Sequence, residues 1–248
     1  MRIAIVSDIH GNLTALEAVV DDLKTVSPDL VVHGGDLVAN GSRPAEVVDL
    51  VRDLQWPGVC GNTDEMLWKP ERLIQQASQV PQLRHLFTML ETRVVPSTIA
   101  ALGGERLEWL KALPTRWSAH DLTVVHAAPG DLWRAPMSGA SDQELTDTYR
   151  TLQTSRVVYG HIHRSYVREL PGLTVANSGS VSLSYDGDPR AAYALVDDDR
   201  ITIRRVAYDV DREVAILRQN PSPYTEWIGQ MLHAGTFVQP PTADQFYA

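Results

Sequence analysis

The stretch RIAIVSDIHGN, residues 2–12, places an apolar run directly before an aspartate and a histidine. Its first part, 2–7, is rich in β-branched residues, which predicts a buried strand. Asn12 is suited to cap a helix, and apolar residues then recur at helical spacing. These residues are Leu13, Leu16, Val19, Val20 and Leu23. The stretch therefore predicts a strand followed by a helix, with polar side chains at the end of the strand.

The same order of elements repeats along the chain. Residues 29–33 predict a second strand, 44–54 predict a second helix, and 56–60 lead into a third strand. Pro44 is suited to the first turn of the second helix. Because alternating strands and helices imply parallel strands with helices outside, the chain is predicted to have an α/β fold.

Two later regions depart from this alternation. Residues 65–113 show helical patterns with no strand between them, so we expect a helical insertion there. It could cap a site at the strand ends, bury one face of the sheet, or form a dimer contact. After strands at 115–119 and 122–126, a helix in DQELTDTYRTLQ and a strand in RVVYG, short strands predict an antiparallel second half from 165 onward. These short strands are YVREL, LTVAN, SVSLSY, AAYALVD and RITIRRVAY.

The chain is predicted to form a single domain over residues 1–248. A helix is expected at 210–219, and a C-terminal extension runs from about 220 to 248 without a firm assignment. Hydrophobic residues make up 44% of the 248 residues and charged residues 21%, so there is ample material for a core.

Charge and cysteine content exclude several classes of partner. The formal net charge of −9 argues against stable binding to a nucleic-acid backbone, which needs clustered Lys and Arg. The one cysteine, Cys60, excludes an internal disulfide and fits a reducing compartment. The apolar run before Asp8 is too short for a signal-peptide core, and no segment approaches the apolar length of a membrane span. We therefore expect a cytoplasmic protein with no membrane partner.

Polar side chains follow five of the predicted strands. They are Asp8 and His10 after the first strand, Asp36 after the second, Asn62, Thr63 and Asp64 after the third, His126 after LTVV, and His161 and His163 after RVVY. In an open α/β sheet, ligands bind outside the carboxyl ends of the strands. We therefore expect the five strand ends to converge on one site.

The residue types indicate a metal site. Carboxylate, amide oxygen and imidazole suit Mn, Fe, Ni, Co or Zn rather than a thiolate site or a calcium cage. Asp8 and His10 are two residues apart, so on an extended segment they would face the same way, as would His161 and His163. Seven candidate ligands are too many for one tetrahedral ion and fit two ions that share a bridging carboxylate. They are Asp8, His10, Asp36, Asn62, His126, His161 and His163.

The motifs D-x-H, G-G-D, G-N-x-D, a lone strand-end His and G-H-x-H, in this order, resemble the calcineurin-like metallophosphoesterase family. The match covers roughly residues 1–190. GDLVANGSRPAEVVDLV (35–51), and NSGSV (177–181) followed by DGDPRAAYALVD (186–197), look like its small prokaryotic phosphodiesterase branch. The resemblance implies two packed mixed β-sheets flanked by helices.

The resemblance also implies a role for each candidate ligand. One set, holding the first metal ion, would be Asp8, His10, Asp36 and His163. The other, holding the second ion, would be Asp36, Asn62, His126 and His161. Asp36 would bridge the two ions together with a water or hydroxide. Manganese is the preferred metal, and two cations about 3.5–4 Å apart would acidify the water and clamp the phosphoryl oxygens. The expected reaction is hydrolysis of a small phosphate ester by metal-bound hydroxide, without a covalent enzyme intermediate.

Thr63 departs from the family pattern, because many members have a histidine between the Asn and the Asp. The resemblance implies that such a histidine protonates the leaving group or holds the transition state. A threonine hydroxyl can hydrogen-bond a phosphoryl oxygen but is a very poor proton donor near pH 7. Losing a general acid typically costs about 10²–10⁴ in rate, most for a poor leaving group. We therefore expect phosphodiesters or activated esters to be preferred over alkyl monoesters. Asp64 is expected to orient a neighbouring group, with a helix N-terminal role as the alternative.

Other interpretations stay open at this point. A phosphomonoesterase or nucleotidase could use the same metal centre, and a non-catalytic protein-binding scaffold could share the fold. Retention of all seven candidate ligands favours an enzyme. Trp133 and Arg134 follow His126 closely, and they could line a substrate pocket or pack the loop. Nucleotides, cyclic nucleotides and lipid-derived diesters are all candidate substrates, and a homo-oligomer is as compatible with the sequence as a monomer.

Overall fold

Two mixed β-sheets lie face to face in the computed structural model, which describes residues 1–198 and 200–247. Its strands are β1 (Arg2–Val6), β2 (Leu30–His33), β3 (Arg116–Ala119), β4 (Leu122–Val125), β5 (Arg156–Tyr159), β6 (Tyr166–Leu170), β7 (Leu173–Asn177), β8 (Ala191–Asp197) and β9 (Arg200–Val206). The first sheet has the strand order β2-β1-β8-β9, and the second has β3-β4-β5-β7-β6. This confirms the predicted α/β class with two packed mixed sheets.

Helices flank both sheets. They are α1 (Leu13–Val26), α2 (Pro44–Asp53), α3 (Asn62–Glu65), α4 (Glu71–Gln79), α5 (Arg84–Met89), α6 (Val95–Lys111), α7 (Asp142–Tyr149), α8 (Val210–Leu217), α9 (Pro223–Ala234) and α10 (Ala243–Tyr247), with short 3-10 turns at Pro81–Leu83 and Arg150–Leu152 and a π turn at Leu90–Val94. Asn12 caps α1 as predicted, because its side chain accepts the N–H of Ala15 at 2.9 Å. None of the helices in the described part of the chain combines the length and the hydrophobicity of a membrane span.

Strand direction follows the predicted alternation in the first half of the chain. Strands β1 and β2 are parallel and joined by α1, and β4 and β5 are parallel and joined through α7. In the second half, β6 pairs with β7 and β8 with β9 in antiparallel fashion, as expected. However, β7 joins the second sheet parallel to β5, and β8 lies antiparallel to β1, so this half contributes one hairpin to each sheet.

Successive side chains of β1 point to opposite faces of the first sheet and so pack into two different layers. Ile3 and Ile5 belong to a buried cluster that contains residues of both sheets, whereas Ala4 and Val6 belong to the cluster shared with the helices. All four side chains are buried. Burial of a valine or isoleucine side chain contributes roughly 1.5–3 kcal/mol, so Val6 on one face and Ile3 and Ile5 on the other stabilise the sandwich.

Two predicted strands are absent from the described residues. Residues 56–60 run beside β2 with a single bridge between His33 and Gly58. Pairing stops there because Pro57 has no N–H to donate and the N–H of Cys60 bonds to Pro114 instead. The segment SVSLSY (180–185) is likewise irregular, since the Ser180 hydroxyl accepts two nearby backbone N–H groups and bends the chain.

The region predicted as a helical insertion contains α4 to α6, and within this described segment no strand interrupts them. Helix α6 packs on α2, where Arg106 forms two hydrogen bonds with Asp49 at 2.6 and 2.8 Å. Leu102 and Leu110 of α6 are fully buried. These contacts pack the region on α2, and its role over the site, on a sheet face or in a dimer stays a prediction. The extension from 220 holds α9 and α10, and residue 248 lies outside the described residues.

His33, the last residue of β2, is fully buried, and neither ring nitrogen has a hydrogen-bond partner among the described residues. Burial lowers its pKa from 6.5 to about 3. Between these two values the unfolded chain binds a proton that the folded protein does not, so the free energy of unfolding falls as pH decreases from 6.5 towards 3. At pH 5 the expected loss from this one group is about 2 kcal/mol.

We therefore expect His33→Leu, a substitution of similar volume, to change the free energy of unfolding of the metal-free protein more favourably at pH 5 than at pH 7.5. Urea unfolding of both proteins at the two pH values measures the effect. His120→Leu, at an exposed position, is the control and should keep the wild-type pH dependence. Equal stability changes of His33→Leu at both pH values would contradict the expectation.

Candidate metal centre

The seven candidate ligands converge at one edge of the two sheets, where β1, β2, β4 and β5 end. Six of them are buried, with exposures of 0% for Asp8 and His126, 2% for His10 and Asp36, 5% for His163 and 8% for Asn62. His161 is partly buried. The sequence therefore predicts which side chains meet, and the packing of both sheets brings them together from five separate segments.

The first group consists of Asp8, His10, Asp36 and His163. One ligand atom from each lies within 4.8 Å of the others. His163 Nε2 is 3.2 Å from Asp8 Oδ1 and 3.1 Å from His10 Nε2, and His10 Nε2 is 3.7 Å from Asp36 Oδ2. Two ligands bound to one ion at about 2.1 Å and at right angles lie about 3 Å apart, so these separations suit a shared ion.

The second group consists of Asp36, Asn62, His126 and His161. Asn62 Oδ1 is 2.9 Å from His126 Nε2 and 2.8 Å from His161 Nδ1. His126 Nε2 also lies 3.4 Å from Asp36 Oδ1. Asp36 therefore presents one carboxylate oxygen to each group, which is the geometry of a bridging ligand.

In His163 and His126, the hydrogen bond at Nδ1 determines whether Nε2 has a free lone pair. His163 Nδ1 lies 2.6 Å from the carbonyl of Leu183, and His126 Nδ1 lies 2.9 Å from the carbonyl of Gly34. Each Nδ1 must carry a proton to donate to its carbonyl, so in the neutral ring Nε2 holds a lone pair. Those lone pairs face carboxylate oxygens of Asp8 and Asp36, which repel them unless a proton or a metal ion lies between. The donor set therefore fits a metal ion in each group, with the orientation typical of metal-binding imidazoles.

The charge states of these groups follow from their burial. Burial lowers the pKa of His10 and of His161 to about 4, so both rings are neutral at pH 7 and have a lone pair to offer. Burial alone would raise the pKa of Asp8, but the histidines around it, His163 foremost, hold it well below its usual range. For His126, burial lowers the pKa, but the carboxylates of Asp36 and Asp8 outweigh this effect and raise it. The carboxylates therefore attract positive charge to this site.

Backbone conformation at the ligands differs from the extended segments assumed from the sequence. Five of the seven candidates have φ values in the left-handed region: they are 58° for Asp8, 52° for His10, 52° for Asp36, 67° for His161 and 55° for His163. This conformation costs roughly 1–2 kcal/mol per residue, and such strain typically clusters at functional sites. Backbone bonds such as Asp8 N to Gly35 O and His10 N to Asp36 O hold it in place.

Two glycines are required by close approach to the carboxylates. A Cβ atom at Gly61 would lie 2.1 Å from Asp36 Oδ1, and one at Gly160 would lie 2.3 Å from Asp8 Oδ2. Any side chain at either position would displace a candidate ligand. Gly61 stands directly before Asn62 and Gly160 directly before His161.

Asp64 lies beneath the site and contacts the backbone. Its carboxylate accepts the N–H groups of Gly61 at 2.9 Å, Asp36 and Leu37 at 3.0 Å and Val38 at 3.3 Å. Burial and the nearby charge of Asp36 raise its pKa to about 7, and the hydrogen bonds from the backbone oppose this shift. The contacts fit both roles considered from the sequence, because Asp64 sits in the first turn of α3 and orients the Asp36 loop.

Thr63 has its hydroxyl turned to the backbone. Its Oγ1 donates to the carbonyl of Val38 at 3.1 Å, and its backbone N–H donates to Asp36 Oδ1 at 2.8 Å. The hydroxyl proton is therefore already used within the protein. What reaches the site from this residue is the backbone N–H, which any amino acid except proline would supply.

Several contacts at the site were not predicted from the sequence. Asn40, whose φ is 72°, has its amide 3.3 Å from His10 Nδ1, and the hydroxyl of Tyr224 donates to the same amide. The ring of Tyr185 stacks on His163 at a centroid distance of 4.7 Å. Asn40 lies in the GDLVANG stretch that supports the resemblance, but only the folded chain shows its neighbours.

The loop after His126 is packed against the helical region. Trp133 Nε1 donates to Glu65 Oε2 at 2.9 Å, and Arg134 bonds to Gln79 of α4. These contacts agree with the packing role that was considered for Trp133 and Arg134.

One family model and three known proteins are similar to this chain over most of its length. A family model described as the calcineurin-like phosphoesterase superfamily domain matches residues 1–200. An uncharacterized protein of Methanocaldococcus jannaschii is 28% identical over 256 residues, covering 94% of this chain and 98% of that protein. The crystal structure of a metallophosphoesterase from Sphaerobacter thermophilus is 29% identical with a TM-score of 0.75, covering 95% of this chain and 99% of the other. A hypothetical protein from Pyrococcus horikoshii, 17% identical, shares the fold with a TM-score of 0.80 over 96% of this chain and 99% of its own.

Proposed function

Because this chain belongs to the calcineurin-like phosphoesterase superfamily, we propose that it is a phosphodiesterase with two divalent metal ions. The observation that carries this proposal is the pairing of imidazole lone pairs with carboxylate oxygens. His163 Nε2 faces Asp8 at 3.2 Å and His126 Nε2 faces Asp36 at 3.4 Å, and a divalent cation between the two atoms of each pair would be bound by both. The proposal therefore names metal-dependent hydrolysis of a phosphate ester.

The proposed ligands divide between the two ions as the two groups do. Asp8, His10, Asp36 and His163 would hold the first ion, and Asp36, Asn62, His126 and His161 would hold the second. Bound there, the two ions would supply a nucleophile at neutral pH and neutralise charge on the phosphoryl oxygens. Manganese is the preferred metal for this oxygen and nitrogen set, and Fe, Ni, Co and Zn are the alternatives.

The protein's own residues orient this centre. The Leu183 and Gly34 carbonyls hold the rings of His163 and His126 with Nε2 inward. Asp64 holds the backbone on both sides of Asp36, and the backbone N–H of Thr63 donates to the Asp36 oxygen. Pre-oriented groups lose little freedom during reaction, which is the main contribution a protein makes in such a site.

The proposed enzyme acts on a small phosphate ester in the cytoplasm. A net charge of −9 is unfavourable for holding a nucleic-acid backbone, and the only cysteine, Cys60, is free and buried. These features support the proposed substrate class and location.

Metal removal followed by a substrate panel tests the proposal. Protein stripped with a chelator should hydrolyse neither an aryl diester nor an alkyl monoester. Addition of Mn²⁺ should restore hydrolysis, with a higher rate on the diester than on the monoester. Two equivalents of metal should bind per chain. A protein that binds no metal and gains no activity would instead be a scaffold, and equal rates on both esters would indicate a phosphomonoesterase.

Thr63 gives the sharpest prediction about substrate choice. Thr63→His should raise the rate on an alkyl monoester by about 10²-fold, because it supplies the missing proton donor, and should change the diester rate much less. Steady-state kinetics with Mn²⁺ on both esters measure the effect. Thr63→Val is the control, and it should leave both rates near wild type because the wild-type hydroxyl donates to Val38. The idea is wrong if the wild-type protein already hydrolyses the alkyl monoester as well as Thr63→His does.

A further inference from the structure

The C-terminal part of the chain reaches the first metal group through Asn40. The hydroxyl of Tyr224 donates to Asn40 Oδ1, and Asn40 Nδ2 lies 3.3 Å from His10 Nδ1. Asn40 has a φ of 72°, a strained value for a residue with a side chain, and the amide is partly buried. The three side chains form one hydrogen-bonded chain that ends at a proposed metal ligand.

The orientation of the Asn40 amide decides which nitrogen of His10 carries the proton. With the amide nitrogen towards the ring, Asn40 donates to a lone pair on His10 Nδ1, and the ring proton then sits on Nε2. Metal binding at Nε2 needs the opposite tautomer, with Nδ1 protonated and the amide oxygen accepting. The amide nitrogen would then donate to Tyr224. A phenol both donates and accepts, so Tyr224 can pair with Asn40 in either orientation.

The same segment also supports the second imidazole of the first group. Tyr185 stacks on His163 with an angle of 21° between the rings, and Phe237 packs edge-on against Tyr185 at 5.7 Å. Phe237 in turn contacts Trp227 of α9, whose indole N–H donates to Val238 at 2.9 Å. Residues of the C-terminal extension therefore contact the two side chains that lie beside these imidazoles, Asn40 beside His10 and Tyr185 beside His163.

The second metal group has different support. Its members His126 and His161 have hydrogen bonds to Gly34 and Asn62 within the described residues, and none of these contacts comes from the extension. Helix α9 is itself firmly placed, since Ser222 caps it and Gly187 donates to the carbonyl of Gly235 at its end. A change in the extension should therefore affect one metal position and spare the other.

We infer that Tyr224 is a positioning residue that holds the Asn40 amide beside His10 Nδ1 and so strengthens metal binding at the first group. Tyr224 lies beyond residues 1–200, the part of the chain that matches the family model. The inference rests on the proposed function in so far as His10 is a metal ligand. It concerns how this chain completes that site.

Metal binding by the full chain tests the inference without relying on activity. Tyr224→Phe removes only the hydroxyl, and we expect its Mn²⁺ affinity to fall about 10-fold to 100-fold at one position and stay unchanged at the other. Calorimetric titration of metal-free protein with Mn²⁺ resolves the two positions. Tyr149→Phe is the matched control, because Tyr149 is buried in α7 and its hydroxyl has no partner among the described residues.

A second variant separates positioning from general loss of packing. Asn40→Asp in the Tyr224→Phe background should restore the affinity, because a carboxylate accepts from a protonated His10 Nδ1 more strongly than an amide oxygen does and needs no partner at position 224. Wild-type affinity in Tyr224→Phe, or equal weakening at both positions, would overturn the inference. If the wild-type chain binds two Mn²⁺ ions but cleaves no ester, the proposed function fails and the inference stands. If the wild-type chain binds no Mn²⁺, both fail.

Discussion

Asp36→Asn should lower metal-dependent diester hydrolysis by about 10³-fold, the largest effect that we expect from a single substitution in this protein. Asp36 directs Oδ2 towards His10 and Oδ1 towards His126, at 3.7 and 3.4 Å. An asparagine has one oxygen and would turn an NH₂ group towards one of these rings. The bridging position is therefore lost although the size of the side chain is kept.

The same substitution should not destabilise the metal-free protein. Asp36 is 2% exposed and lies close to the carboxylate of Asp64, so removing its charge relieves repulsion between buried groups. We expect a free energy of unfolding equal to or above that of the wild type, together with fewer than two bound metal ions. Kinetics at saturating Mn²⁺, metal analysis and urea unfolding give the three readouts.

Asp21→Asn is the matched control for this prediction. Asp21 is exposed and its carboxylate contacts Lys24 on the surface of α1. Its substitution should leave activity and metal content unchanged. An Asp36→Asn protein with more than a tenth of wild-type activity would show that Asp36 does not bridge two ions.

Glu213→Ala should lower the free energy of unfolding by about 3–5 kcal/mol, the largest stability effect that we expect. Glu213 of α8 is fully buried and ties the loop before α2 to α1. It accepts hydrogen bonds from Thr14 at 2.8 Å, from the Ser42 hydroxyl at 2.7 Å and from Arg43 at 3.1 Å. Truncation leaves the guanidinium of Arg43, whose side chain is only 17% exposed, without its buried counter-charge.

Glu226→Ala tests whether burial causes this effect. Glu226 pairs with Arg218 at 2.9 Å, and both side chains are about half exposed, so its loss should lower the free energy of unfolding far less than the loss of Glu213. Urea unfolding of both variants in metal-free buffer gives the comparison. If Glu213→Ala loses no more than Glu226→Ala, the buried network does not hold α8 to the loop.

The convergence of the candidate ligands could be predicted from the sequence because these residues follow strands. Asp8, Asp36, His126 and His161 each lie within three residues of the end of a strand, and the carboxyl ends of parallel strands meet at one edge. The order of the candidate ligands along the chain is the basis of the resemblance to the calcineurin-like metallophosphoesterase family. Local patterns were enough for these features because strand formation and strand ends depend on residues that are close in sequence.

Other features of the site could not be predicted in this way. The left-handed φ of His10 and the stacking of Tyr185 on His163 depend on atoms from distant segments. Helix α9 has recognisable end signals in Ser222, Pro223 and Gly235, but its proline-rich and polar surroundings left the extension unassigned.

Residues near each other in the chain therefore specify the strands and the identity of the candidate ligands. The folded arrangement specifies which oxygen of Asp36 meets which ring, and that Tyr224 is linked to His10 across 214 positions of the chain through Asn40. The physical reason is that hydrogen-bond direction and ring stacking are short-range interactions. They are decided only after the packing of both sheets and the C-terminal helix has brought the partners within a few ångströms.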